Sequence, residues 1–330
     1  DGEYEIIDSF TIIFSDDESL DPGTGGSSDG GGGASVGPFE IQNITDLSDY
    51  VDSGLRGIPS NLDSIEGNLK LWLDGANIDQ QLNSTLGDGV TVSQWNDLSS
   101  NNNHATKSGD PSYDADSNGV YFDGNDLLNL GSSNFVRNSS YTMIAVEKRG
   151  GSSNSYIFGQ AGNNGGNQNL HSGWASGTTL KMDHYSNHIF STGDLRPAGN
   201  RDLTVFRFGN GENPSHFINF NGPEVGSGQS GAALSHNGRL LIGSGFTNRH
   251  YYTGDIFEIL IFNKALSDEE LAKVSYYLAA KWDLDIDSDG DGILDAEDND
   301  LSGVAFNEKP VFTSEAPSEA SENSEYSYYI

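Results

Sequence analysis

Three features of this 330-residue chain predict an all-β protein, a two-sheet antiparallel sandwich with one helix toward its C-terminal end. Short alternating or wholly apolar runs recur through its middle, separated by turn residues. Glycine is abundant, at 42 residues, which suits a fold with many tight turns. Only one stretch joins a clear helix start signal to apolar residues at helical spacing. Such strand spacing favours two packed antiparallel sheets.

In chain order, residues 1–20 hold two short apolar runs, 4–7 and 10–14, that read as strands. Residues 21–38 are a Gly/Ser-rich linker that cannot build a core. Residues 39–67 form a mixed lead-in with a short helix expected at 43–51. The main domain is expected over 68–284. It opens with Leu69, Leu71 and Leu73 alternating with Lys70 and Trp72. Further strands are predicted at 119–122, 141–147, 155–158, 179–184, 203–208, 216–219 and 239–242. Asn221-Gly222 marks a hairpin turn, because both residues tolerate positive φ. In the last strand, 255–262, alternation assigns Ile256, Glu258, Leu260 and Phe262 to one face. Phe257, Ile259 and Ile261 then take the other, so the strand is expected to be buried on both sides. Ser267 to Glu270 form a capping box, after which Leu271, Val274 and Leu278 share a helix face that ends near 281–282. An acidic loop over 285–301 and a Ser/Glu-rich, strand-like segment over 302–330 complete the chain.

Net charge is −33, from 16 basic and 49 acidic residues. That sign argues against a nucleic-acid partner and against attraction to an anionic membrane, and it favours cations. No apolar stretch is long enough to cross a bilayer, so no membrane insertion is expected. Cysteine is absent, which removes disulfides and thiolate chemistry. The chain starts at Asp1 without Met or a leader, as expected of a mature piece or fragment.

The densest chemical signal is the run 283–300, in which nine of eighteen residues are carboxylates. Asp287, Asp289, Asp291, Asp295 and Asp298 fall at positions 1, 3, 5, 9 and 12 of an EF-hand-type loop. Gly292 sits at the sharp turn, and Ile293 offers its backbone carbonyl at position 7. Ca²⁺ takes six to eight hard oxygen ligands, and so many carboxylates would repel one another without it. Position 12 is Asp rather than Glu, and no helix follows the loop. The run resembles thrombospondin type 3 calcium repeats.

Other candidates carry two readings each. Asp123, Asn125 and Asp126 follow a strand directly, either as a second Ca²⁺ site at a sandwich rim or as ordinary turn chemistry. Trp174, in the Gly-rich loop 162–177, either stacks on a sugar with His171 as a polar partner or closes the end of the sandwich. No catalytic residue is assigned. The E-x-D-x-E and G-x-S-x-G patterns are absent, alternation places Asp255 and Glu258 on opposite faces, and Glu258 reads as a buried hydrogen-bonding group. Gly226 to Gly231 fit G-x-G-x-x-G without a following helix and read as a loop. Asp183, His184 and His188 lack the helical spacing of a metal site.

From Leu71-Trp72-Leu73-Asp74, through Trp95-Asn96-Asp97-Leu98-Ser99 and Asn103-His104-Ala105, to Val120-Tyr121-Phe122-Asp123-Gly124, a familiar motif order emerges. It continues with Leu241-Ile242-Gly243, the Gly254 to Asn263 strand, Ala265-Leu266-Ser267 and Leu278 to Trp282. This order resembles bacterial laminin G-like modules of the concanavalin A-like superfamily. The resemblance implies an extracellular, secreted or cell-surface jelly roll that binds glycans or proteins, often with calcium at its rim, and it does not imply catalysis. More loosely, 4–14 and 309–330 resemble parts of immunoglobulin- or cadherin-like repeats, as in a multidomain surface protein. The polarity of the second segment favours loosely held ends.

The expected function is therefore a non-catalytic adhesion module for a glycan or extracellular protein, joined to neighbouring domains by a calcium-stiffened connector. The alternatives are an accessory carbohydrate-binding domain of a secreted polysaccharide-degrading enzyme, or a purely structural spacer.

Overall fold

The apolar runs pair as antiparallel strands in two large sheets, as the sequence predicts. The computed structural model describes residues 63–132, 135–162, 165–229, 231–246, 249–287 and 294. The runs at 4–7 and 10–14, the linker, the helix expected at 43–51 and the segment 302–330 lie outside the described residues, as do the calcium-loop residues Asp289, Asp291, Ile293, Asp295 and Asp298.

After one helical turn, α1 (Asp63–Glu66), strands are numbered in chain order. The first sheet runs β14 (Glu224–Gln229), β13 (Ser215–Phe220), β12 (Asp202–Gly209), β7 (Tyr141–Arg149), β18 (Thr253–Phe262), β5 (Gly119–Asp123), β4 (Ser112–Asp114), with β1 (Leu69–Asp74) also on β18. The second runs β11 (His188–Phe190), β10 (Leu180–Asp183), β9 (His171–Trp174), β8 (Ser155–Ala161), β15 (Arg239–Ile242), β6 (Leu127–Ser132), β3 (Ala105–Ser108), β2 (Gln94–Trp95). A hairpin, β16 (Ser244–Phe246) and β17 (Arg249–Tyr251), packs against β8 and β9. Between the sheets lies an apolar core that includes Leu71, Leu73, Trp95, Phe122, Met143, Phe158, Phe206 and Ile259. Asn221 and Gly222 join β13 to β14 with φ of 50° and 104°, the turn expected of that pair. The Gly226–Gly231 stretch, read as a loop, instead begins inside edge strand β14. Its glycines admit close neighbours: a Cβ on Gly226 would sit 2.6 Å from the Phe190 carbonyl oxygen.

Simple alternation fails in β18. A bulge between Ile256 and Glu258 shifts the register against β7, so Ile256 joins Ile259 and Ile261 in the core. Phe257 and Glu258 then both face outward, toward the helix. Asp255 therefore lies on the same side as Glu258, not the opposite one, beside Tyr121 and Lys148.

The Trp-Asn-Asp-Leu-Ser motif proves architectural. Trp95 donates its indole N–H to the Asp74 carbonyl at 2.9 Å. The Asp97 carboxylate accepts from the backbone N–H groups of Trp72 (2.9 Å), Ser99 (3.0 Å) and Asn103 (2.7 Å), and from the Ser99 hydroxyl (2.8 Å). One buried carboxylate thus fastens the loop after β2 to β1, each charged hydrogen bond being stronger than a neutral one.

Helix α2 (Asp268–Trp282) begins at Ser267 with both halves of the capping box formed, and ends at Asp283 in the left-handed conformation. Its face of Leu271, Val274, Tyr277, Leu278 and Trp282 is buried. Beneath it, Glu258 accepts from Trp72 Nε1 (2.7 Å), Trp282 Nε1 (2.5 Å) and Tyr277 Oη (3.2 Å). Lys281 Nζ lies 2.8 Å from Glu258 and 2.6 Å from Asp74. Burial opposes the Lys281 charge, yet Glu258, Tyr277 and Asp74 hold its pKa well above the usual lysine range. Among the described residues no helix is long and apolar enough to cross a membrane.

Removing Lys281 would strand two buried carboxylates. Lys281→Met is expected to lower unfolding free energy by about 3–5 kcal/mol in chemical denaturation, and a change within the noise would show that helix docking does not depend on this pair.

Candidate functional site

Cross-strand register builds a polar face on the outside of the second sheet. Leu180, Met182 and Trp174 point into the core. Their neighbours Lys181 and Asp183 must therefore point out. The pairing then aligns two rows across β8, β9, β10 and β11: Gly159, His171, Asp183 and His188 in one, and Tyr156, Gly173, Lys181 and Phe190 in the other. Hairpin β16–β17 lies over the β8 end of these rows. A Cβ on Gly159 would meet the Ser244 carbonyl oxygen at 2.0 Å, so only glycine allows that approach.

Aromatic groups crowd around His171. Its ring centroid is 4.0 Å from Phe246, 5.9 Å from Tyr185 and 6.0 Å from Tyr156. Tyr185 holds φ of 48° and Ser186 68°, so the turn leaving β10 is strained beside the site. Asp183 is buried and ion-paired to Lys181 at 2.7 Å. Its Oδ2 lies 3.8 Å from His171 Nδ1, and its Oδ1 lies 4.0 Å from Nδ1 of His188, which is 41% exposed. Both gaps exceed a hydrogen bond. Asp183 Oδ1 and His171 Nε2 are buried with no hydrogen-bond partner. Burial alone would raise the Asp183 pKa, but His171 and Lys181 outweigh it and keep it below the usual value. Burial lowers the His171 pKa, against the opposing pull of Asp183. On the rim, Phe190 is 46% exposed, and the exposed Arg249 stacks 4.2 Å from the Phe246 ring centroid.

Of the two ligand contacts read from the sequence, His171 belongs to this face as a buried floor residue, not a surface contact. Trp174 does not reach solvent. It lies on strand β9 rather than in a loop, donates to Glu147 at 2.6 Å, and is stacked by Arg149 3.6 Å from its ring centroid. That makes it an aromatic closing the sandwich interior. The alternation of Leu170, Ser172 and Trp174 is the sequence signal that marks β9 as a strand. Asp183 and Lys181 were legible as same-face neighbours, whereas Phe246 and Arg249 carry no local signal. His184 and His188 do not converge: His184 turns inward, where its Nε2 meets Tyr141 Oη at 2.6 Å and its Nδ1 meets the Ala232 carbonyl at 2.8 Å. A carbonyl only accepts, so His184 carries its proton on Nδ1.

At the rim, Asp110 joins Asp123 and Asp126, with potential ligand atoms all within 4.8 Å of one another. Asp126 is buried and accepts the Asp110 and Asp123 backbone N–H groups at 2.6 and 3.1 Å. Burial and the two neighbouring carboxylates raise its pKa. Asn125 adjoins the cluster, donating Nδ2 to Asp123 at 3.2 Å, and Asp110 is the residue of the group that the sequence reading did not include. All-oxygen donors of this kind suit a hard cation. Of the predicted calcium ligands, Asp287 alone is described, its N–H reaching the Asn221 carbonyl at 3.3 Å.

No protein-family model and no curated protein matches the chain in sequence. Among solved structures, domain 4 of AbnA, a GH43 extracellular arabinanase from Geobacillus stearothermophilus in complex with arabinotriose, aligns with TM-score 0.42 and 16% identity, covering 64% of this chain and 98% of that one. The CBM40 of Ruminococcus gnavus IT-sialidase, bound to α2,3 sialyllactose, gives 0.40 and 12%, covering 48% and 96%. A structure of botulinum neurotoxin type C, whose cell entry depends on two ganglioside molecules, gives 0.48 and 12%, covering 66% and 53%. No residue role passes from them to this chain.

Inside the sandwich, Glu147 accepts from Trp174, Tyr252 (2.5 Å) and Thr204 (2.9 Å), and burial raises its pKa to about 7. Burial lowers His184 to about 3 and His216 to about 4. Glu147 therefore contributes stability that is full below pH 4.5 and lost as pH rises to about 7. The histidines contribute stability that is present above pH 6.5 and lost as pH falls toward 4 and 3. Between pH 5 and 8, Glu147→Gln is expected to remove roughly 2–3 kcal/mol of the wild-type decline. Parallel pH–stability curves from denaturant titration would refute this assignment.

Proposed function

We propose that the chain is a non-catalytic carbohydrate-binding domain whose sugar site is the face of His171, Lys181, Asp183, His188 and Phe190. One observation carries the reading. Asp183 Oδ1 is buried without a donor, 4.0 Å from the His188 ring nitrogen at the surface. A sugar hydroxyl about 2.8 Å from each atom bridges such a gap, satisfying the carboxylate while accepting from the histidine. His171 Nε2, also unpartnered, takes a second hydroxyl once the half-buried rings around it turn aside. The exposed Phe190 ring offers an apolar face against which a sugar ring stacks.

Among the residues that the strand register aligns on this face, Asp183 is the one carboxylate. Glycoside hydrolysis uses two such groups, one acid and one base or nucleophile. This favours binding over cleavage. The accessory-domain role thus fits better than general adhesion. The laminin G-like motifs support an extracellular setting, with which a cysteine-free chain is compatible. In this reading Ca²⁺ binds the loop of Asp287, Asp289, Asp291, Ile293, Asp295 and Asp298, stiffening the connector to a neighbouring domain, and Asp123, Asn125 and Asp126, joined by Asp110, form the second site.

On a broad glycan array, wild type should bind a defined sugar set, and Asp183→Asn should weaken the best interaction at least tenfold while the variant still melts in a single cooperative transition, its melting temperature lowered by loss of the Lys181 ion pair. Full affinity in that variant would place the sugar elsewhere. For calcium, calorimetry should show less uptake in Asp287→Ala/Asp291→Ala than in wild type, and equal uptake would remove the loop from the account.

A further inference from the structure

We propose that this face selects acidic oligosaccharides, holding a carboxylate or sulfate substituent at Arg249 while hydroxyls engage Asp183 and His188. The proposal rests on the carbohydrate-binding reading and adds the ligand class. The chain as a whole repels anions, with 49 acidic against 16 basic residues. Any anion it binds must be met by a local, uncompensated cation. Lys181 does not qualify, because Asp183 neutralises it at 2.7 Å. Arg249 does: it is exposed, and among the described residues its side chain makes no ion pair.

Its guanidinium is also pre-oriented. A cation–π contact 4.2 Å from the Phe246 centroid holds the guanidinium over that ring, and its N–H groups are offered to an oxyanion. Phe246 in turn packs on His171, so the cation belongs to the same continuous face as the unpartnered floor atoms. Arg249 and Lys181 both act on His171 and His250, a sign that their fields overlap across the site. From β11 to β9 the row crosses two strand spacings, roughly 10 Å, with Arg249 beyond it. A ligand touching both ends is therefore an oligosaccharide. The planar, bidentate geometry of guanidinium with carboxylate or sulfate gives it selectivity that a point charge lacks.

The test is an array carrying neutral, carboxylated (uronic or sialic acid) and O-sulfated oligosaccharides, followed by calorimetry on the best ligands. Hits should concentrate among the acidic classes, and the array shows whether carboxylate or sulfate is preferred. Arg249→Gln should weaken the best acidic ligand at least tenfold at unchanged melting temperature. Lys107→Gln, an equal charge change at an exposed position on β3, should leave affinity unaltered. Hits confined to neutral sugars, or equal losses from both variants, would overturn acidic selectivity while leaving the sugar site in place. Silence across the whole array would overturn the carbohydrate reading as well.

Discussion

The bulge at Phe257 in strand β18 is the constraint on which the rest of the first sheet depends. β18 pairs with β7 along one edge, and with β5 and then β1 along the other. An extra residue there lets Ile256, Ile259 and Ile261 all reach the core, while Phe257 and Glu258 face the helix together. A carboxylate buried in this way demands donors. Trp72, Tyr277, Lys281 and Trp282 supply them, three of the four from α2. The helix is thus locked in both position and rotation. Trp282 also packs on Phe257 at 5.5 Å, and Arg201 stacks on both rings, so the register error of one residue is answered by an entire aromatic cage.

Buried carboxylates differ here in how complete their hydrogen bonding is, and Asp183 combines an incomplete set with a place beside solvent, whereas Asp202, which also has one oxygen without a donor, is wholly enclosed. Asp97, Glu147 and Glu258 each accept three or more hydrogen bonds. Such groups are expensive to bury and are retained where the donors are complete. Asp183 is buried too, less deeply, and has one oxygen without a donor, at the edge of an aromatic and cationic face. An incomplete hydrogen-bonding set beside solvent is what a polar ligand would complete. The same contrast sets His184, fully partnered in the core, apart from His171.

Residue patterns of period two and the capping box determined much by themselves: the all-β class, the inward Leu71 and Leu73, the Asn221-Gly222 turn, the start and end of α2, and Glu258 as a buried hydrogen-bonding group. These are local matters, decided within a few residues of chain. What only the tertiary structure decided was which faces meet. No periodicity announces a bulge, so Asp255, Ile256 and Phe257 lie on the sides opposite to those that alternation gives. Trp174 is apolar and amphipathic wherever it stands, and only the position of Glu147 on the opposing sheet turned it from a surface contact into a core residue. The face of His171, Asp183, His188 and Arg249 gathers residues up to 78 positions apart, through strand register and a hairpin laid across the sheet. Such register follows from the packing of distant apolar side chains, which a sequence lists in order but does not bring together.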